Sequence, residues 1–152
     1  MGIFLRTVGA VAFAIAISPG HGLSHDHATG VVKERMDMMD AIAKNMKAIS
    51  ERIKNKSDLS EIKAEAEAIA GHASHIIHLF PKGSMQKPTE ARAAIWQNWS
   101  DFENKARAME IESGKLAKLN TNDFVAVTAQ VQAVSQTCSA CHTKYRVKKK
   151  GD

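Results

Sequence analysis

Residues 32–53 read VKERMDMMDAIAKNMKAISERI, and within them Val32, Arg35, Met39, Ile42, Met46, Ile49 and Ile53 recur at alternating steps of three and four. Residues three and four apart share one face of a helix, so this stepping is the seam of a helix that packs along its whole length. The count continues beyond a break at residues 55–57, where Ser57 or Asp58 supplies an N-cap, into Leu59, Ile62, Ala66, Ile69, Ala73, Ile76 and Phe80. Phe80-Pro81 closes that second helix, and PKGSMQKP over residues 81–88 reads as a connecting loop. A third seam runs through Ile95, Trp99, Phe102, Ala106, Met109 and Leu116, weakened at Ser113 and Gly114. Thr121-Asn122-Asp123 offers a capped start for a fourth, with Phe124, Val127, Val131, Val134, Cys138, Cys141 and Tyr145 facing inward.

Four amphipathic helices of roughly 22–25 residues, each about 35 Å long, predict an all-α, antiparallel up-down-up-down four-helix bundle over residues 30–148. The composition agrees. In 152 residues there are seven Met against one Tyr, 5% aromatics and 44% hydrophobic residues, a balance that leaves no β signal to compete. The seams are rich in Ala and Met instead of a continuous Leu layer, which leaves room near one end for something other than a side chain. The net charge of +5 comes from basic residues interspersed with acids. Only Arg146 to Lys150 forms a basic run, so the pattern does not predict nucleic-acid binding.

The first residues have the form of a secretory signal peptide: Arg6, then the ten-residue apolar run of residues 8–17, then Ser18-Pro19-Gly20. Ten apolar residues cover about 15 Å of a hydrocarbon core about 30 Å thick, which disfavours a stable membrane span. Residues 1–22 are read as the signal, with cleavage between about 20 and 28, and residues 149–152 as a basic tail. Export places the mature chain in the periplasm.

The two cysteines lie in Cys138-Ser139-Ala140-Cys141-His142, the C-x-x-C-H attachment signature of c-type haem. On a helix Cys138 and Cys141 share a face, so each can form a thioether to one haem vinyl, while His142 can turn its imidazole onto the iron. A thioredoxin-type dithiol needs the pair at a helix start after a strand, and here it ends a helix in an all-α chain. A zinc site needs a fourth ligand that this turn does not offer. The spacing of His72, His75 and His78 resembles a metal stripe, but His75 and His78 fall on the outward face, as a solvated set would. Gly71, an interior helix glycine, is expected to mark close helix packing.

Several further segments carry a family resemblance: Arg35 followed by methionines, Leu79-Phe80-Pro81-Lys82-Gly83-Ser84, Ile95-Trp96-Gln97-Asn98-Trp99 to Phe102, and Cys138 to Arg146. Together with the signal peptide and four helices they resemble the cytochrome c′ family, over essentially all of residues 31–147. The resemblance implies one covalent haem c, thioethers from Cys138 and Cys141, His142 as proximal iron ligand and Arg35 beside a haem propionate. It also implies that the residue four after Arg35, which is Met39, faces the iron. A thioether there gives six-coordinate, low-spin iron, whereas an apolar or aromatic residue leaves it open to small gases. Met36 and Met38 are rival sulfurs rotated off the Met39 direction. Tyr145 and Arg146 follow His142 on its side of the helix, where they can pack against the haem or orient its ligand.

With both axial positions filled and no acid–base residues converging, the expected work is single-electron transfer with periplasmic redox partners, by a non-enzymatic monomer or homodimer. One alternative is a five-coordinate protein that binds NO or CO. Another is a haem-free periplasmic metal-binding or structural bundle.

Overall fold

The computed structural model describes residues 27–147. The expected signal peptide, its cleavage site and the tail at 149–152 therefore lie outside the described residues. Helix α1 spans Gly30–Asn55, α2 Ile62–His75, α3 Ala94–Gln97, α4 Trp99–Ala117 and α5 Phe124–Tyr145. The four-helix bundle is thus present, with the third helix of the bundle divided into a short α3 and a long α4.

Most seam positions become the core, whereas Trp99 and Phe124, both at helix starts, are exposed at 36% and 37%. All seven inward positions of the second segment, Leu59 through Phe80, are buried, as are Ile42 and Ile49 of α1, Phe102, Met109 and Leu116 of α4, and Val127 and Val134 of α5. Each such aliphatic side chain withdrawn from water contributes about 1.5–3 kcal/mol before its entropy cost. The chain leaves α1 through Lys56 in the left-handed conformation (φ 48°), with the Ser57 N–H returning to the Arg52 carbonyl.

Three boundaries differ from the periodicity. Helix α2 starts at Ile62, a turn later than Ser57 or Asp58 would place it, because Asp58 spends its carboxylate on the Ser60 N–H and hydroxyl, closing a local turn. It then tightens into a 3₁₀ turn at Ile76–Leu79 before Pro81. The third seam breaks at Asn98 (φ −131°, ψ 49°), whose side-chain amide donates to the Ala94 carbonyl. Helix lengths are accordingly 26, 14, 4, 19 and 22 residues, not four near-equal rods. The fourth start is where the sequence puts it, with Asp123 accepting from the Ala126 N–H.

Gly71 does not mark a close approach: a Cβ there would meet nothing within 4 Å, and the residue is exposed. Helix α2 packs most extensively on α4, α4 on α5 and α1 on α2, while α1 meets α5 only sparsely. That sparse meeting is where the bundle holds its cavity.

Candidate functional site

A cavity of about 410 Å³ lies between α1 and the last turns of α5. Its size falls within the roughly 300–1,000 Å³ of cofactor pockets. Cys138, Cys141 and His142 line it from α5, and Met36, Met39 and Met46 from α1. Ile95, Phe102, Ala106 and Met109 supply apolar surface, and Pro88, Thr89 and Glu90 form part of its rim. The five residues assigned from sequence, Arg35, Met39, Cys138, Cys141 and His142, therefore share one cavity although they come from opposite ends of the chain.

The helix geometry explains the α5 wall. Val127 and Val134 are fully buried, and one turn further along the same face Cys138 and Cys141 become half-buried, opening onto the cavity instead of a neighbouring helix. Both sulfurs are free thiols. The Cys138 thiol donates to the Val134 carbonyl at 3.6 Å. Burial pushes both thiols up, that of Cys141 to about 11, with Lys105 opposing the rise at Cys141. Redox dithiols are activated by the reverse displacement, so burial here does not favour a reactive thiolate. His142 is exposed on the next position and still reaches the cavity. Two thiols one turn apart with an adjoining imidazole, set in an apolar cavity of cofactor size, fit a covalently tethered haem.

The α1 wall is broader than the seam count suggests. Met38 is absent from the cavity lining, but Met36 belongs to it together with Met39. Three residues along a helix amount to a turn of only about 60° off register, so Met36 and Met39 present sulfur to the same space. Both are half-buried.

Arg35 is 5% exposed. Its Nε donates to the Leu79 carbonyl at 3.0 Å, Nη2 to the same carbonyl at 2.8 Å and to Ser84 Oγ at 2.7 Å, and Nη1 to Thr89 Oγ1 at 2.8 Å. Burial lowers the guanidinium to about 10, still far above neutrality, so it stays charged. The family resemblance implies a haem propionate beside this residue; in the structure Arg35 is held by carbonyl and hydroxyl acceptors of the 79–89 loop and also lines the cavity. These acceptors lie 44 to 54 residues away, and no local pattern announces them.

Beyond His142 the chain is strapped to the segment that follows the loop. The Arg92 N–H donates to the Tyr145 carbonyl at 2.9 Å, the Val147 N–H to the Glu90 carbonyl at 2.8 Å, and Arg146 pairs with Glu90 at 3.2 Å. Arg146 thus takes a carboxylate partner at the rim. Tyr145 is buried against the cavity and donates from its phenol to Asp101. Asp101 carries no sequence signal of its own, and its role emerges only from the α4–α5 packing.

Among the described residues no group of three or more His, Cys, Asp and Glu is arranged to hold a metal ion. His75 and His78 are exposed, with ring centroids 6.2 Å apart, and His72 is half-buried. No helix among the described residues is long and apolar enough to cross a membrane.

Comparison with known proteins agrees with this geometry. Residues 30–146 match the family described as Cytochrome C′. A cytochrome c-556 of Agrobacterium tumefaciens is 34% identical over 122 residues, covering 79% of this chain and 99% of the relative. The crystal structure of cytochrome c′ from Thermochromatium tepidum superposes with a TM-score of 0.73 at 26% identity, covering 78% of this chain and 95% of that one. A point variant of cytochrome c prime from Alcaligenes xylosoxidans, solved as a nitric oxide complex, gives a TM-score of 0.70 at 26% identity, covering 78% and 94%.

Proposed function

The chain belongs to the cytochrome c′ family, whose members carry one covalent haem c, and on that premise we propose that it is an exported carrier of single electrons whose iron is ligated by His142 and Met39. The haem, when bound, supplies a one-electron iron couple. The protein's residues do the rest. Cys138 and Cys141 tether the group by two thioethers, His142 offers an imidazole from the same turn, and Met39 offers a thioether from α1. Ile95, Phe102, Ala106 and Met109 exclude water and so help set the potential through burial.

The observation that carries this reading is that Met39 lies in the wall of the same cavity as Cys138, Cys141 and His142. No acid–base apparatus is needed, since the chemistry the haem would supply is one-electron transfer, in which no substrate bond is made or broken. The cavity's position near the surface leaves an edge for periplasmic redox partners. The export signal at residues 1–22 and the basic tail at 149–152 belong to this proposal.

A second reading, a five-coordinate protein that binds NO or CO, is favoured by the similarity to a protein solved with nitric oxide. It holds if the α1 sulfurs only fill space. The optical spectrum of the ferric protein separates the two. A low-spin spectrum with the weak charge-transfer band of thioether-ligated iron supports the carrier, and a broad high-spin spectrum supports the gas binder. A haem-free bundle is eliminated when the mass of the mature protein includes the covalent haem.

A further inference from the structure

Lys105 faces two spaces at once. It lines the cofactor-sized cavity together with Cys141 and His142, and it also lines a groove between α4 and α5 with Asn104, Ala108 and Thr137. The residue is half-buried, its side chain 26% exposed. It follows the buried Phe102 by three positions and precedes the buried Ala106, which puts it at the edge of the α4 seam, on the flank shared with α5.

The charges around it do not cancel. Asp101, one turn earlier on α4, is the carboxylate beside it, but Asp101 Oδ2 already accepts from the Tyr145 phenol and from Lys144 at 3.0 Å. Lys105 Nζ stands 3.8 Å from Oδ1, within ion-pair range and beyond hydrogen-bond distance. One carboxylate is thereby shared between two ammonium groups, so these three side chains carry a net positive charge. Lys144 is the more exposed cation at 46%, and Lys105 is the one that lines the cavity. Its charge reaches the α5 wall, where it opposes the rise of the Cys141 thiol.

A fixed charge beside a redox centre acts unequally on the two oxidation states. Ferric haem carries one more positive charge than ferrous haem, so a neighbouring ammonium disfavours the ferric state. A partly buried charge is also screened less than a solvated one.

We propose that Lys105 sets the reduction potential of the haem that this cavity holds, its ammonium favouring the ferrous state and Asp101 acting as a partial counterweight. Lys105 acts through space and contributes no iron ligand. The proposal requires the haem of the family and neither the Met39 ligand nor the carrier role. The spin state of the ferric protein tests Met39 and the potential tests Lys105, so either can fail without the other.

Spectroelectrochemical titration of the purified holoprotein at low ionic strength tests it. At the poise where the unaltered protein is half reduced, the ratio of ferrous to ferric haem is expected to fall roughly tenfold in Lys105→Met, a shift of about 59 mV for one electron. Lys105→Arg keeps the charge and is expected to stay within about twofold of the unaltered protein. Asp101→Asn removes the counterweight and is expected to raise the ratio, a reversal of sign that a merely structural disturbance would not produce. These differences shrink at about 1 M salt. Should Lys105→Met fail to take up haem, Lys105→Gln and Asp101→Asn decide. An unchanged ratio in Lys105→Met, an equal fall in Lys105→Arg, or a fall in Asp101→Asn overturns the proposal.

Discussion

The Arg35 guanidinium carbon sits 3.9 Å from the centre of the Phe80 ring, so a buried charge of α1 is stacked on the residue that closes the second helix. The contact is joined by hydrogen bonds to Leu79, Ser84 and Thr89. One planar fork therefore holds the whole 79–89 loop, part of which rims the cavity. Removing it in Arg35→Met leaves the Leu79 carbonyl and the Ser84 hydroxyl short of donors, and stability to urea is expected to fall by about 2–4 kcal/mol. Arg35→Lys keeps the charge without the fork and recovers only part of that loss. Equal stability of all three proteins would contradict the role.

Ser113 is fully buried and its Oγ has no hydrogen-bond partner. A hydroxyl desolvated without compensation costs stability, so Ser113→Ala is expected to raise the unfolding free energy by about 1 kcal/mol. Thermal unfolding followed by circular dichroism checks it. A fall in stability would mean that the hydroxyl has a partner in solution.

The Asp101 carboxyl is held low, first by the Tyr145 phenol and then by Lys144. A group whose pKa is depressed on folding contributes stability above its unfolded pKa of about 4 and loses that contribution as the pH falls through the folded value. The stability difference between the unaltered protein and Asp101→Asn is thus expected to be constant at neutral pH and to close in acid. Denaturant titrations across that range measure it, and a gap that widens in acid would reverse the sign.

How much of this was legible in sequence varies with how local its cause is. The second seam holds at every position from Leu59 to Phe80 because a straight amphipathic stripe depends only on spacing. The C-x-x-C-H turn is likewise local. The break at Asn98 is not read from spacing, since the apolar stepping runs on from Ile95 to Phe102 while the Asn98 backbone leaves helical values and its side-chain amide takes the Ala94 carbonyl. Arg35 stood out as a charge on an apolar seam, but its loop acceptors come from folding. Met36 carries no mark in the spacing because a seam is a line, whereas a cofactor-sized cavity admits side chains about 60° to either side of it.

The two cysteines make separate predictions. Cys138→Ala and Cys141→Ala each leave one sulfur for a single thioether, and the double variant leaves none. Mass spectrometry under denaturing conditions is expected to find covalent haem in the unaltered protein and none in the double variant. Haem retained covalently by the double variant would place its attachment elsewhere.

The central claim is that the Met39 sulfur, and not that of Met36, occupies the iron. Both line the cavity, so the ferric optical spectra of Met39→Ala and Met36→Ala taken side by side decide it. Met39→Ala is expected to turn high-spin while Met36→Ala stays low-spin. A low-spin spectrum persisting in Met39→Ala contradicts the assignment.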